Sequence, residues 1–135
     1  MNPLATAQTI YAAFGRGDIP AIIEQLSPDI AWEYAYAANA IPVPWFQPQQ
    51  GQAGALNFFK ELADNLVITQ FNVHHLLAGD QIVVAVFDLT ATVKRSGKII
   101  TERDAVHIWR FDESGKVKAF RHCEDTYQQA MAYQI

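Results

Sequence analysis

The chain has 135 residues, of which half are hydrophobic and 12% are aromatic, and its formal net charge is −4. This length and apolar content suit one compact domain over residues 1–135 and argue against a disordered chain. The 10 lysines and arginines are spread along the sequence rather than clustered, so a nucleic-acid partner is not expected.

The first part of the chain predicts two helices and a short strand. Pro3 lies at the start of an amphipathic helix of about four turns, which Gly15 and Gly17 end. Its apolar positions recur every three or four residues, at Ala7, Ile10, Tyr11 and Phe14. A short second helix follows the N-cap Asp18. The alternation of Ile30, Trp32 and Tyr34 then predicts a strand.

Residues 35–51, AYAANAIPVPWFQPQQG, form a loop with an unusual composition. Its three prolines exclude a helix or a central strand. Because exposed loops are seldom this apolar, the segment is expected to pack over another part of the molecule. A third helix is predicted from Gly51 to about Leu66, and Asp125 is expected to cap a helix in the tail.

The second half of the chain is rich in strands. The predicted strands run over residues 67–78, 82–94, 98–111 and 116–124, and each break between them is short and contains a glycine. Such breaks predict antiparallel hairpins. The expected class is therefore α+β, with the helices on one face of a curved antiparallel sheet.

Residues 103–111, RDAVHIWRF, place Arg103 and His107 on the same strand face as two aromatic residues. If Ser96-Gly97 is a two-residue loop, Val86 pairs with His107 and Asp88 with Ala105. A last loop at residues 112–115 would pair His107 with Phe120 and Arg103 with Glu124. This register predicts one cavity wall with five polar residues: Asp88, Arg103, His107, His122 and Glu124.

Each of these residues has two interpretations. His107 is either a general acid or base, tuned by a nearby acid, or a histidine that only hydrogen-bonds. Asp88 is either a pocket acid with a raised pKa or an ion-pair partner of Arg103. Arg103 with Glu124 is either a structural pair or a holder of a ligand carboxylate or enolate. His107, His122 and Asp88 could form an iron triad, but no tightly spaced motif supports it, so no metal is expected.

The remaining sequence features concern location and assembly. Cys123 is the only cysteine, which excludes a disulfide framework and fits a reducing cytoplasm. The N-terminal residues lack the pattern of a signal peptide, and no apolar run approaches about 18 residues, so no membrane partner is expected. The opposite face of the 103–111 strand, polar at its ends and apolar in its middle, suits an oligomer contact.

The order of the elements, together with four short motifs, resembles the SnoaL-like branch of the NTF2-like superfamily. The motifs are Gly17-Asp18, Asp29-x-x-Trp32, Gly51 at a helix start, and WRFDESGKV at residues 109–117. That group contains ketosteroid isomerases, polyketide cyclases and epoxide-hydrolase-like enzymes. The resemblance implies a cone in which a curved sheet wraps around helices, an apolar pocket at its wide end, and a homodimer through the outer sheet face.

The residues of the characterised members are not retained at the matching positions. The isomerase base falls at Tyr34, preceded by Glu33, and the oxyanion tyrosine falls at Ile10, beside Tyr11. The second oxyanion acid falls at His107. Steroid-type isomerisation is therefore not expected. The Arg-x-Asp motif of the epoxide-hydrolase-like members is also absent, although an acid-Arg-acid set could still form across strands from Asp88, Arg103 and Glu124.

We therefore expect a pocket for a small apolar molecule with a carbonyl or similar oxygen, working without a cofactor. The predicted catalytic residues are His107, Asp88 and Tyr34. The predicted ligand-binding residues are Arg103, His122, Glu124, Phe120, Trp32, Trp45, Phe59 and Phe14. The chemistry would be that of an isomerase, cyclase or hydratase. The alternative is a non-catalytic module that binds a ligand or a partner.

Overall fold

The computed structural model describes residues 2–135. Its α-helices are α1 (Pro3–Gly15), α2 (Ile19–Ile23), α3 (Gly51–Asn65) and α4 (Thr126–Tyr133). Its strands are β1 (Leu26–Trp32), β2 (Gln49–Gln50), β3 (Leu66–Gly79), β4 (Ile82–Val93), β5 (Ile99–Phe111) and β6 (Val117–Cys123). A single 3-10 turn, Pro44–Phe46, interrupts the loop before β2. Within the described chain, no helix is long and apolar enough to cross a membrane.

The six strands form one sheet in the order β2-β1-β6-β5-β4-β3. All neighbours are antiparallel except β1 and β6, which run parallel. Helix α1 contacts β3 and β4, while α3 contacts β1. The curved sheet is not closed, and the helices lie against its concave face, so the α+β prediction is confirmed.

Side-chain caps define the helix starts that the sequence indicated. Asn2 Oδ1 accepts the Ala5 N–H at 2.8 Å at the start of α1, where Pro3 occupies the first turn. Asp18 caps α2 and Asp125 caps α4 in the same way. These caps define the first residues of α1, α2 and α4.

The apolar loop packs into the core, as its composition predicts. Ile41, Val43, Trp45 and Phe46 are all buried. Gln47 Nε2 donates to the carbonyl oxygens of Ile41 and Val43 at 2.9 Å each, which holds the loop in a compact form. The loop therefore forms part of the hydrophobic core.

The predicted register of β4 against β5 is wrong by one residue near His107. Val93 N donates to Lys98 O, so the turn holds four residues rather than the two that the sequence suggested. Ala85 faces His107, and Phe87 faces Ala105. Because side chains alternate along a strand, this slip turns Asp88 to the outer face.

A bulge in β5 changes which of its residues face inward. Glu102 and Ala105 are both buried, whereas the two residues between them, Arg103 and Asp104, are exposed. Asp104 has φ 51°, and the β4–β5 register shifts at this point. The bulge therefore places Glu102 inside the cone and Arg103 outside it, contrary to the predicted Arg103–Glu124 pair.

The register of β5 against β6 differs from the prediction by two residues. His107 faces His122, and Trp109 faces Phe120. Asp112 N donates to Lys116 O, and a second irregularity follows at Arg110. A shift of two residues preserves the face, so Phe120 and His122 still point inward.

Candidate functional site

Helices α1 and α3 and the inner sheet face enclose a cavity of about 60 Å³. The wall is mostly aliphatic and aromatic, and its polar side chains come from α1, β5, β6 and the tail. The apolar lining residues include Ile10, Phe14, Ile22, Trp32, Phe58, Phe59, Leu62, Leu66, Ile68, Phe71, Phe87, Leu89 and Phe120. This composition is typical of a small-molecule site.

An outer groove of about 490 Å³ adjoins the cavity between the end of α1 and β3. The groove and the cavity share Tyr11, Phe14, Ile68 and Phe71. The rings of Phe14 and Phe71 lie 5.3 Å apart, centroid to centroid. These shared residues therefore lie at the boundary between the groove and the cavity.

Eight of the eleven predicted site residues line the cavity. They are Phe14, Trp32, Trp45, Phe59, His107, Phe120, His122 and Glu124. Their placement agrees with the expected pocket, while their roles stay predictions.

The other three predicted residues lie outside the cavity. Asp88 is on the outer face, where His74 Nε2 lies 2.8 Å from its Oδ2. Its hydrogen bonds to His74 and to the Asp104 backbone lower the pKa of Asp88, contrary to the raised pKa of a pocket acid. Tyr34 is 40% exposed and accepts a hydrogen bond from Arg110 Nε, and Arg103 is exposed on the β5 bulge.

The first polar group of the cavity is built on Tyr11, which the prediction did not include. Trp109 Nε1 donates to Tyr11 Oη at 2.9 Å, and Tyr11 Oη lies 2.6 Å from His107 Nδ1. Indole N–H is only a donor, so Tyr11 Oη accepts from Trp109 and directs its own proton to His107. His107 is then a neutral imidazole whose proton is on Nε2.

The surroundings of His107 favour this neutral form. Burial, with a further contribution from the charge of His122, holds the pKa of His107 well below its ordinary value. Burial also raises the pKa of Tyr11 far above its usual range, so the phenol keeps its proton. This network therefore offers fixed hydrogen-bond donors rather than a base.

The second polar group is a buried, hydrogen-bonded pair formed by Glu33 and His122. Glu33 Oε1 accepts the backbone N–H of His122 at 2.6 Å and lies 2.7 Å from Nδ1 of the same residue. Strand alternation would place Glu33 on the outer face, because it follows the inward-facing Trp32. Glu33 is nevertheless completely buried. Its φ of 59° turns the side chain inward, a conformation that costs a non-glycine residue about 1–2 kcal/mol.

Glu33 determines how His122 behaves. Burial lowers the pKa of His122, but the charge and hydrogen bond of Glu33 outweigh burial, and the pKa is raised above its ordinary value. His122 lines the cavity, and because Nδ1 is held by Glu33, Nε2 is the ring nitrogen that remains for a ligand. A histidine oriented in this way by a carboxylate is the usual arrangement of a general base.

The third polar group links Glu124 to the tail helix. Trp45 Nε1 donates to Gln129 Oε1, and this hydrogen bond orients the amide of Gln129. Gln129 Nε2 then donates to Glu102 Oε2 at 3.0 Å and to Glu124 Oε1 at 2.5 Å. Burial raises the pKa of Glu124. The charge of His122 and the hydrogen bond from Gln129 lower this pKa, and the charges of Glu102 and Glu33 raise it. The net shift of the Glu124 pKa is upward. The cavity thus contains a carboxyl group that accepts a proton readily.

The three groups converge at one point. One nitrogen or oxygen from each of His107, His122 and Glu124 lies within 4.8 Å of the other two. This arrangement can bind one polar ligand atom and exchange a proton with it. Two imidazoles and a carboxylate are also a donor set that suits a divalent cation.

Comparisons with known proteins agree with this architecture. The sequence model of the SnoaL-like domain matches residues 7–120. Among solved structures, an NTF2-like protein from Burkholderia thailandensis has 26% identity and a TM-score of 0.85, covering 100% of this chain and 99% of that chain. The predicted cone of the NTF2-like superfamily is therefore confirmed. A comparison with curated protein sequences gave no match.

Two further structures have the same fold at lower identity. TerC, crystallised with polyporic acid, has 22% identity and a TM-score of 0.76 and covers 97% of each chain. A candidate polyketide cyclase from Pseudomonas putida has 17% identity and a TM-score of 0.72 over 98% of each chain. At these identities the likeness concerns the fold alone.

Proposed function

Because the chain belongs to the SnoaL-like family, we propose that its cavity binds a small, largely apolar molecule with a carbonyl or similar oxygen and moves a proton on it. The reaction would be an isomerisation, a cyclisation or a hydration. The buried Glu33–His122 pair carries this proposal, because it places an oriented histidine at the wall of an apolar cavity.

The roles follow from the hydrogen bonds. His122 in its neutral form removes a proton through Nε2, and Glu33 stabilises the imidazolium that results. His107 Nε2–H donates to the ligand oxygen on which negative charge develops. Glu124 protonates or deprotonates a second atom. The proposed steps use these side chains alone.

The similar structures support a small molecule rather than a macromolecule as the ligand. TerC was crystallised with polyporic acid, and the Pseudomonas putida protein is named as a candidate polyketide cyclase. The rings that line the cavity here suit a flat, unsaturated ligand, because aromatic pairs gain energy from stacked and edge-on contacts.

Hydrogen–deuterium exchange tests the proposal. The protein would be incubated in D₂O with enolisable bicyclic ketones such as 2-tetralone, and loss of the α-proton signal followed by NMR. We expect faster exchange than in buffer alone, and a loss of about 10²-fold or more in His122→Gln. His75→Gln, an exposed histidine on β3, is the matched control. Equal exchange in both variants would refute the role of His122.

A non-catalytic binding module is the second candidate. The observation in its favour is the cavity volume of about 60 Å³, because ligand pockets usually exceed 300 Å³ and a largely filled cone leaves little room for a reacting molecule. Mass spectrometry under native conditions would identify a co-purified ligand. A bound molecule that is recovered unchanged after long incubation, with no exchange of its protons, would favour this candidate.

We also propose that the chain forms a homodimer in the cytoplasm. The outer face of the sheet presents four half-buried aliphatic residues in a group: Val84, Val86, Val106 and Ile108. Val84 pairs with Ile108, and Val86 with Val106, across β4 and β5. A contiguous apolar group of this kind suits a protein–protein contact. The single thiol, Cys123, supports the reducing location.

A further inference from the structure

We infer that the polar end of the cavity selects a neutral hydroxyl group of the ligand, such as a phenol or an enol, over a carboxylate or an ammonium group. The inference rests on the proposed function, because the enol form of the ligand's carbonyl group is such a hydroxyl. The observation behind it is the juxtaposition of His107, His122 and Glu124, with one polar atom from each within 4.8 Å of the others.

The first element of selectivity is a fixed donor. Trp109 donates to Tyr11, and Tyr11 in turn donates to His107 Nδ1, so the proton of the neutral His107 ring is on Nε2. A ligand atom at this position must therefore accept a hydrogen bond. A hydroxyl oxygen can do so, and an ammonium group, which has no lone pair, cannot.

The second element is an acceptor. Glu33 holds Nδ1 of His122, so that ring can meet the ligand only through Nε2, which donates when the ring is charged. Gln129 holds Glu124 from one side, and the rest of the carboxylate accepts from the ligand. A ligand atom at this position must therefore also donate a hydrogen bond, which a hydroxyl does and a carboxylate does not.

The third element is charge. Three carboxyl groups lie around the polar end, those of Glu33, Glu102 and Glu124. His122 pairs with Glu33, so its positive charge can balance one of the three. The residues that line the cavity include neither lysine nor arginine. A ligand anion would therefore meet net negative charge at short range, in surroundings where such repulsion is poorly screened. A neutral hydroxyl avoids this cost.

A series of naphthalene probes isolates the effect of the polar group. At pH 7, 2-naphthol is neutral, 2-naphthoate is an anion and 2-naphthylmethylamine is a cation, while naphthalene carries no polar group. Ligand-observed NMR titrations would give the four dissociation constants. We expect 2-naphthol to bind about tenfold or more tightly than each of the other three, since a site built to bind a hydroxyl rejects analogues that lack it.

Glu124→Gln tests the origin of the preference. The glutamine amide keeps the shape of the side chain and can donate a hydrogen bond to a carboxylate, so the ratio of 2-naphthol to 2-naphthoate affinity should fall toward one. Glu113→Gln makes the same chemical change in an exposed turn and should leave the ratio unchanged. Retained naphthalene affinity in both variants would show that the cavity is intact.

The remaining outcomes separate this inference from the proposed function. Equal binding of all four probes would leave the cavity as a binding site and overturn hydroxyl selection. Tightest binding of 2-naphthoate or of the amine would overturn it in favour of an anion or a cation. If one equivalent of Zn²⁺ displaces 2-naphthol from the wild type but not from Glu124→Gln, the cluster is a metal site instead. Binding of none of the probes would overturn the proposed function as well.

Discussion

At the scale of single residues, each of the two cavity histidines is oriented by a second residue that hydrogen-bonds to its ring. Glu33 orients His122, and Tyr11 orients His107. Two imidazoles that face each other across β5 and β6 therefore differ in basicity, since the pKa of one is raised and that of the other is lowered. Such a divergence between neighbouring titratable groups is typical of acid–base sites.

The Glu33→Gln variant tests this division of roles. Glutamine keeps an acceptor for the His122 backbone N–H but removes the charge that raises the pKa of the ring. We expect the NMR titration of the His122 ring protons to shift to lower pH, while Glu113→Gln leaves it in place. An unchanged titration would show that burial, not Glu33, governs His122.

The same pair makes stability depend on pH. A histidine with a raised pKa stabilises the fold fully below its unfolded pKa and loses that contribution as pH rises through the folded pKa. The gap in free energy of unfolding between wild type and Glu33→Gln should therefore be widest on the acidic side of neutrality and narrow as pH rises. Urea denaturation at several pH values measures it, and a gap that widens toward alkaline pH would contradict the assignment.

Tyr11→Phe tests the second network. Removing the hydroxyl leaves the Trp109 indole N–H and His107 Nδ1 without their shared partner, so we expect a loss of about 1–3 kcal/mol in the free energy of unfolding. Tyr34→Phe is the matched control, because its hydroxyl contacts Arg110 at the surface. Chemical denaturation compares the two. A cost for Tyr34→Phe equal to that for Tyr11→Phe would argue against the buried network.

At the scale of elements, the sequence predicted the order of helices and strands. It did not predict the bulge and the turn length that determine which face of the sheet a side chain is on. Alternation along β6 placed Phe120 and His122 inward correctly. The β5 bulge carries no clear signal, and Ser96-Gly97 lies inside a four-residue turn rather than forming the two-residue loop that the prediction assumed. Asp88 and Arg103 were therefore assigned to the wrong face.

The missed residues show the same limit. Tyr11 was already on the predicted inner face of α1, so its helical position could have suggested it. Glu33 follows the inward Trp32, and strand alternation alone would point it outward. The positive φ that turns it inward is favoured by tertiary contacts rather than by its residue type. Such a placement is visible in the structure and not in the sequence.

Substitutions at Asp104 test the importance of the bulge. Its φ of 51° is unfavourable for a β-branched residue and open to glycine. We expect Asp104→Val to lower the free energy of unfolding by about 1–2 kcal/mol, and Asp104→Gly to change it by less. Chemical denaturation of both variants is the measurement. The opposite order would indicate that the side-chain contacts of Asp104, and not its backbone conformation, stabilise the bulge.

At the scale of the whole molecule, the two faces of the sheet differ in what they present. The inner face carries the cavity, and the outer face presents the valine and isoleucine group on β4 and β5. Because the faces alternate residue by residue, β5 contributes to both. Association through the outer face would stiffen the strand that carries His107.

Light scattering after size-exclusion chromatography tests the proposed dimer. We expect the wild type to have twice the chain mass and Val106→Glu to have the mass of one chain, because a charge in an apolar contact is costly to desolvate. Leu56→Glu, at a position on α3 that is 53% exposed, should remain a dimer. A wild type with the mass of one chain would refute the proposal.

The distribution of tryptophan has a practical consequence. The chain contains three tryptophans, and Trp32, Trp45 and Trp109 all line the cavity. The indole fluorescence of the folded protein therefore originates from the wall of the candidate site, with no background from distant residues. Any molecule that enters, and any rearrangement of Phe14 or Phe71 that admits it, should change the emission. The protein thus contains its own optical reporter, and compound libraries can be screened against it without a label.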